Sequence, residues 1–204
     1  GIQRSYPFVA QTVLQTVSLR PGVKRAAGLY IMLTKDDVYF LADGTAQIDP
    51  TAEDLAEIAI LTAGVARYFN VTPRVAMLSF SNFGSAPCPQ TQKVKKAVEL
   101  IRARDPSLCV DGEMQADTAV NVGIQERNFP FCELKGRANV LIPPDLGSAN
   151  ISAKLVRWLG ATEGIGPVTL GFDKPLTILH PASDVEDVVN AAAITVIECL
   201  DGTL

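Results

Sequence analysis

The strongest constraint on the fold of this 204-residue chain is a regular alternation of strand-type and helix-type segments. Residues 29–33 and 38–42 are β-prone runs joined by a short polar link, which predicts a hairpin. Beyond the hairpin, the predicted strands are 74–78, 108–110, 138–142 and 176–179, and the predicted helices are 52–69, 92–104, one starting near Glu113, 149–159 and 184–200. This succession of β-α units predicts a three-layer α/β fold with a largely parallel sheet and helices on both faces.

Polar residues mark three of the predicted helix starts. Thr51 with Asp54 resembles a capping box, in which each side chain bonds the backbone of the other residue. Ser148 and Ser183 occupy expected N-cap positions, and Ser183 is followed by Glu186 at capping-box spacing.

The charge balance excludes several classes of partner. Lys and Arg number 18 against 22 Asp and Glu, a net charge of −4, so no basic field is available for nucleic acid or an anionic membrane. The longest uncharged stretch, 75–92, contains polar residues and prolines and does not predict a membrane span. Four scattered cysteines and a single histidine, His180, disfavour a metal site and favour reduced thiols in a cytoplasmic protein.

Two features indicate a piece of a larger assembly. The chain begins at Gly1 with no initiator Met, which we interpret as a processed or truncated end. Charged residues make up 20%, below the roughly 25% of an average soluble domain, so some surface is expected to pack against something else.

Polar segments follow the predicted strands at the sheet edge where α/β proteins bind ligands. Segments 79–85 and 143–150 place hydroxyl, amide and glycine residues ahead of a helix, a composition that can hold a phosphate or another anion. Ordinary turn and cap roles for the same residues are the alternative. Neither segment matches a dinucleotide fingerprint or a P-loop.

Other residues have two open interpretations each. Asp111 and Glu113, with Asp145 at a neighbouring strand end, have the chemistry of a general acid–base site, but capping and hydrogen bonding within loops is the favoured interpretation. His180 follows a predicted strand without a recognisable nucleophile beside it. Lys154 and Arg157, next to Trp158, suit an adenine nucleotide or a solvated helix face.

Read in order, short strings along the chain resemble phosphate acetyltransferases. The strings are 49–59, 74–81, 111–117, 138–142, 144–146, 150–151, 165–167, 174–175 and 184–187. Each is weak alone, but their shared order and spacing span nearly the whole chain. The resemblance implies an α/β fold of the isocitrate dehydrogenase and phosphate acetyltransferase type, built from two domains with the acyl-CoA site between them. This chain would carry the second domain and the last helix of the first.

The catalytic signature of that family is eroded here. The transferases carry Ser-Arg-Gly-Cys followed by an Asp, where Ser and Arg serve the thiolate and the phosphate and the Asp is the proposed base. This chain has His-Pro-Ala-Ser at 180–183, with Asp187 retained. Pro181 stands where the phosphate-binding Arg belongs and offers no cation. The resemblance therefore implies no catalytic residue, with His180 and Asp187 as vestigial candidates.

Where this chain differs from the transferases, it resembles the C-terminal portion of hybrid NADP-dependent malic enzymes. The segments that carry this second resemblance are 81–85, 6–8 and 129–132. In those proteins a malic enzyme body precedes a transferase-like domain without transferase activity that is proposed to sense acetyl-CoA. Lys154 falls where the transferases have a lysine near the CoA phosphates. Trp158 replaces an arginine expected one turn later, beside Arg157. The implied ligand residues are Ser79, Ser81, Asn82, Phe83, Gly84, Ser85, Asp145, Asn150, Lys154 and Arg157.

The leading hypothesis is thus an acetyl-CoA-binding regulatory domain in a malic enzyme that decarboxylates malate oxidatively to pyruvate. Acetyl-CoA acts as effector, the chain itself carries no cofactor, and NADP and a divalent metal are implied only for the parent's malic enzyme body, which is expected in cis. We expect a homo-oligomer, dimeric through this domain and of higher order in the parent. An active phosphate acetyltransferase and a structural oligomerisation module are the alternatives.

The same resemblance suggests a division of the chain. Residues 1–20 form a helical lead-in, 21–180 the transferase-like α/β domain, and 181–204 a helix returning toward the absent half-domain.

Overall fold

The structure is a computed structural model that describes residues 8–9, 12–13, 15–160, 163–179 and 183–201. The strands are β1 (Ala27–Leu33), β2 (Val38–Ala42), β3 (Arg74–Leu78), β4 (Cys109–Met114), β5 (Val140–Ile142) and β6 (Glu163–Leu170). From residue 27 onward the described helices are α1 (Ala52–Tyr68), α2 (Pro89–Arg104), α3 (Ala116–Val120), α4 (Val122–Asn128), α5 (Leu146–Leu159) and α6 (Val185–Asp201). No helix in the described ranges combines the length and apolarity needed to cross a bilayer.

The strands form a single sheet in the order β4-β3-β5-β2-β1-β6. β4, β3, β5 and β2 pair in parallel. β1 is antiparallel to both β2 and β6, so β6 runs in the same direction as the parallel strands. The predicted hairpin, the largely parallel sheet and the α/β class are confirmed.

Helices cover both faces of the sheet. The larger core lies between one face and helices α1, α2 and α6, and includes Phe40, Met77 and Ile194. The opposite face packs against α3 through Ala119 and against α5 through Ala149 and Ala153. The two alanines are four residues apart and lie one turn above the other, so α5 can approach the sheet closely. The three-layer prediction is therefore confirmed.

The predicted strand at 176–179 is wrong, and the sequence pattern missed β6. Residues 175–179 have no regular secondary structure, whereas Glu163–Leu170 pairs with β1 along its length. Glycines and a proline interrupt the apolar pattern of β6. At Gly166 a side chain is excluded because its Cβ would lie 2.6 Å from the carbonyl oxygen of Leu29. The close approach of β1 and β6 requires glycine at this position, and glycine breaks the alternating apolar pattern by which a strand is recognised in a sequence.

The helix predicted to start near Glu113 begins later, at Ala116, because β4 continues through Met114. The carbonyl oxygens of Glu113 and Met114 accept hydrogen bonds from Phe83 N (2.8 Å) and Ser79 N (2.8 Å), respectively. Because these two carbonyl oxygens bond N–H groups of the loop after β3, they do not accept the hydrogen bonds of a helix. Two short helices follow only from Ala116.

The helix caps were partly predicted. The Thr51–Asp54 capping box is confirmed. Ser148 is not a cap: Asp145 caps α5 by accepting a hydrogen bond from Ser148 N (2.7 Å). At α6 the cap residue is Asp184 rather than Ser183, because Asp184 Oδ1 accepts a hydrogen bond from Asp187 N (2.8 Å).

Helix α6 buries an acidic side chain, Glu198, near its C-terminal end. Glu198 is 5% exposed. Burial raises the pKa of Glu198 to about 7, although the Arg20 charge favours the ionised form. Because this folded-state pKa lies above its ordinary value of 4.5, the contribution of Glu198 to stability is present at acid pH and is lost as pH rises through about 7.

We therefore expect Glu198→Gln to raise the free energy of unfolding by about 1–2 kcal/mol at pH 8 and to flatten its pH dependence between pH 5 and 8. Urea unfolding at several pH values measures this. Glu186→Gln, an exposed acid on the same helix, serves as control and should leave the pH profile unchanged. Equal profiles for the two variants would show that Glu198 is not the titrating group.

Candidate functional site

The carboxyl ends of β2, β3, β4, β5 and β6 meet at one edge of the sheet, because these strands share a direction. The polar segments predicted to bind a ligand, 79–85 and 143–150, both leave strands at this edge. Clefts outside the carboxyl ends of strands are where open α/β sheets bind ligands. The candidate site is therefore this edge.

The loop at 79–85 is anchored by a buried carboxylate. Glu113, at the end of β4, is 1% exposed. Its Oε1 atom accepts hydrogen bonds from Ser81 Oγ (3.0 Å) and Gly84 N (2.6 Å). A buried charge without such partners would be costly, so these contacts fix the loop relative to the strand.

A second pair of side chains holds the same loop. Asn82 Oδ1 accepts a hydrogen bond from Gln115 N (2.8 Å), and Asn82 Nδ2 donates to Gln115 Oε1 (3.0 Å). Gln115 Nε2 in turn donates to the carbonyl oxygen of Phe80 (2.6 Å). The amide of Asn82 is thus used at both ends by the protein itself.

The loop hydroxyls are also mutually bonded. Ser81 Oγ, besides donating to Glu113, accepts from Ala86 N (3.0 Å) and lies 3.1 Å from Ser85 Oγ. Ser85 Oγ accepts from Asn82 N (3.0 Å). Ser81 is buried, whereas Gly84 and Ser85 are exposed. Ser81 therefore shapes the loop, and Gly84 and Ser85 form part of its exposed surface.

Phe83 joins the loop to the segment after α4. Its ring packs 5.2 Å from the ring of Phe129 and 5.0 Å from that of Phe131, measured between centroids. Phe83 adopts a positive φ of 48°, a conformation that bulky residues rarely adopt, and the ring contacts and the hydrogen bond from its backbone N to Glu113 O hold it there. Phe83 thus contributes apolar anchoring at the site.

The polar residues around α5 mainly connect loops. Asp145 caps the helix, and Asn150 Nδ2 donates to the carbonyl oxygen of Gly44 (3.1 Å). Asn150 thereby ties α5 to the segment after β2. Their predicted contact with a ligand stays a prediction, and the structure shows the side-chain atoms engaged within the chain.

Sequence reasoning missed the residue that organises the segment after β2. Asp43 is buried, and its Oδ1 accepts hydrogen bonds from the backbone N atoms of Gly28 (2.9 Å), Thr45 (2.8 Å) and Ala46 (3.1 Å). Its Oδ2 accepts from Gln47 N (2.9 Å). Burial raises the pKa of Asp43, and the four N–H donors act against that rise. An Asp-Gly pair directly after a strand was the available signal.

The cationic residues of α5 are not equivalent. Arg157 forms an ion pair with Asp187 of α6 (2.8 Å), and its guanidinium carbon lies 5.8 Å from the centre of the Trp158 ring. The Asp187 side chain is 13% exposed, and its Oδ2 accepts from Asp184 N (3.3 Å). Lys154 is exposed and has no ion-pair partner among the described residues. Lys154 is thus the available cation of this helix.

The structure brings some predicted residues together and separates others. Arg157 and Asp187 form an ion pair that the sequence analysis did not predict. Asp111 and Glu113 make separate contacts, since Asp111 binds Arg102 (3.1 Å) and the backbone N of Glu133 (2.7 Å). Among the described residues, no hydrogen bond or ion pair connects loop 79–85 to Lys154 or Arg157. His180 lies outside the described residues.

The thiols are also placed. Cys88, Cys109, Cys132 and Cys199 are all free, and Cys132 alone among them is buried. The described ranges contain no group of three or more His, Cys, Asp or Glu able to hold a metal ion.

Comparison with known proteins identifies the family of this arrangement. Residues 1–196 match the phosphate acetyl/butaryl transferase family. The phosphate acetyltransferase of Bacillus subtilis is 40% identical over 200 residues, which are 98% of this chain and 62% of that protein. The NADP-dependent malic enzyme of Escherichia coli is 41% identical over 181 residues, which are 88% of this chain and 24% of that protein.

The fold agrees with solved structures. A phosphotransacetylase from Streptococcus pyogenes superposes with a TM-score of 0.92 at 37% identity, covering 98% of this chain and 62% of that one. The chain therefore spans less than two thirds of the length of its phosphate acetyltransferase relatives.

We expect Ser81→Ala to lower the free energy of unfolding by about 1–3 kcal/mol, because the change removes one of the two hydrogen bonds to the buried Glu113 carboxylate and takes from Ala86 N its acceptor. Chemical denaturation measures the loss. The control is Ser152→Ala on α5, which removes a hydroxyl with no hydrogen bond to the described residues and should change stability by less than about 0.5 kcal/mol. Similar values for both variants would contradict the anchoring role of Ser81.

Proposed function

The chain belongs to the phosphate acetyl/butaryl transferase family, and we propose that it is a regulatory member that binds acetyl-CoA without transferring the acetyl group. In this proposal it is the C-terminal domain of an NADP-dependent malic enzyme, and acetyl-CoA inhibits the oxidative decarboxylation of malate to pyruvate by the parent. NADP and the divalent metal belong to the malic enzyme body.

The main observation that supports a loss of transferase activity is the hydrogen bonding of the Asp187 carboxylate. Both of its carboxylate oxygens accept hydrogen bonds, Oδ1 from Arg157 and Oδ2 from Asp184 N. A general base needs an oxygen within reach of the proton it removes. The residue that corresponds to the transferase base is therefore committed to holding α5 against α6, and Pro181 supplies no cation for phosphate.

Acyl-CoA binding is supported by the features of the carboxyl edge that remain available. Loop 79–85 is held in one shape by Glu113 and Gln115, and it presents Gly84 and Ser85 outward. Lys154 adds an exposed cation for the phosphates of CoA. A loop that is already ordered loses little conformational freedom on binding, which favours affinity.

Inhibition requires that acetyl-CoA bind one state of the parent more tightly than another, because a ligand with equal affinity for both shifts neither. The two states can differ in conformation or in assembly.

We expect calorimetry to show saturable binding of acetyl-CoA to the chain, and Lys154→Ala to weaken it by about 3- to 10-fold, corresponding to about 1 kcal/mol for one exposed phosphate contact. Lys95→Ala on α2, which also removes an exposed helical lysine, is the matched control and should bind like the unchanged protein. A coupled assay should detect no acetyl phosphate above background. Acetyl phosphate formation would instead establish an active transferase, and absence of binding would refute the regulatory role.

A role in assembly is favoured by a specific surface. Helices α5 and α6 expose large apolar side chains: Ile151, Leu155, Trp158, Leu159, Val185, Val189 and Val196. Trp158 is 77% exposed and Leu159 is 80% exposed. Exposed apolar side chains in this number on two helices are typical of protein interfaces. We include in the proposal that the chain dimerises through these helices and takes part in a larger oligomer of the parent.

We expect the chain to sediment as a dimer, and Leu155→Gln combined with Leu159→Gln to shift it toward the monomer, because both changes place amides in the apolar surface. Phe80→Gln, which removes comparable exposed apolar area from loop 79–85, is the control and should leave the dimer intact. A monomer in the unchanged protein at micromolar concentration would contradict this part of the proposal.

A further inference from the structure

A cleft of about 380 Å³ opens at the amino edge of the sheet, on the far side from loop 79–85. The tip of the β1–β2 hairpin and the residues that enter β2, β3 and β5 line it. Its charged residues are Lys35, Asp36, Asp37, Arg74 and Arg137. Three cations against two carboxylates make this cleft locally positive, in a chain whose net charge is −4.

Arg74 is held rigidly at the wall of the cleft. Its backbone N donates to Asn139 Oδ1 (2.8 Å), and its Nε donates to the carbonyl oxygen of Arg137 (2.9 Å). Asn139 is itself fixed, because its Nδ2 donates to the carbonyl oxygen of Thr72 (2.9 Å). The plane of the guanidinium is thereby set before any ligand arrives.

The charge of Arg74 has no carboxylate counter-ion among the residues that the structure describes. Arg67, Arg102 and Arg157 each lie within 3.1 Å of a carboxylate oxygen. Arg74 is half-buried, yet within the described ranges no carboxylate stands within ion-pair distance of it. Its two terminal nitrogens make no hydrogen bond to the described residues.

Asp37, a carboxylate of the same cleft, does not neutralise Arg74, because it is paired with another arginine. Asp37 forms an ion pair with Arg137 across the cleft wall. A hydrogen bond with Tyr39 and the Asp37 charge raise the pKa of Arg137. Lys35 and Asp36 are both exposed at the hairpin tip, and no ion pair joins either of them to another described residue. Among the described residues that line the cleft, Arg74 and Lys35 are therefore the cations without an ion pair.

We propose that this cleft binds a small multivalent oxyanion, with the two terminal nitrogens of Arg74 as a bidentate donor and Lys35 as a second cation. A guanidinium presents paired N–H donors in the geometry of phosphate and carboxylate oxygens. The cleft volume of about 380 Å³ lies in the range of small-molecule sites. The site is separate from the proposed acetyl-CoA site, because the two lie at opposite edges of the sheet.

Titration of the chain with inorganic pyrophosphate and, separately, with citrate tests the proposal by amide NMR. We expect saturable shifts at Lys35, Arg74 and Arg137 and none at 79–85. Tighter binding of pyrophosphate assigns a phosphate-bearing ligand, and tighter binding of citrate assigns a polycarboxylate.

Arg74→Gln should weaken binding at least 10-fold. The affinity of Arg74→Lys should lie between those of Arg74→Gln and the unchanged protein, because lysine keeps the positive charge but lacks the paired N–H donors of the guanidinium.

Arg104→Gln is the matched control, because Arg104 is exposed and has no ion pair in the described ranges, and it should change affinity by less than about 2-fold. If Arg74→Gln unfolds, Lys35→Gln at the exposed hairpin tip replaces it, with an expected loss of about 2- to 5-fold. The proposal is overturned by the absence of saturable shifts for both anions, by shifts centred on 79–85, or by equal losses in the Arg104 variant.

Discussion

Buried carboxylates at the carboxyl edge of the sheet determine the shape of the candidate site. Asp43 and Glu113 sit where the chain leaves a strand, and each accepts hydrogen bonds from loop N–H groups. An ionised carboxylate in a protein interior is stable only with such partners, so each loop is bound to the carboxylate that needs it. The same contacts that offset desolvation therefore order the loops before a ligand is present.

The parts of the fold that the sequence predicted are those with a local cause. The apolar positions of α1 recur at helical spacing and Thr51 caps it, so its bounds could be read directly. β6 was missed because Gly166 is required by the approach of β1, a constraint between segments far apart in sequence. The extension of β4 past Glu113 has the same origin, since its carbonyls bond a loop that precedes it by some thirty residues.

At the candidate site, the sequence predicted segments that the structure places at the carboxyl edge of the sheet, but it could not assign roles to their side chains. Ser81, Asn82 and Asp145 have the same chemistry whether they bind a ligand or bond their own backbone. The structure shows all three engaged within the chain, whereas Lys154 is exposed and has no ion pair with a described residue. Asp43 was missed because a single Asp after a strand is also the commonest kind of turn residue.

The ion pair between Arg157 and Asp187 connects ligand binding to assembly in the proposed function. A CoA phosphate that approached Arg157 would compete with Asp187, and a half-buried carboxylate left without its partner is unfavourable. The loss could be avoided by a small displacement of α6 relative to α5, which would let Asp187 reach water. Because the exposed apolar residues lie on these same two helices, such a displacement would alter the surface that is proposed to pack against a second copy. Differential affinity of the ligand for two assembly states then follows from one ion pair, without a separate transmitting element.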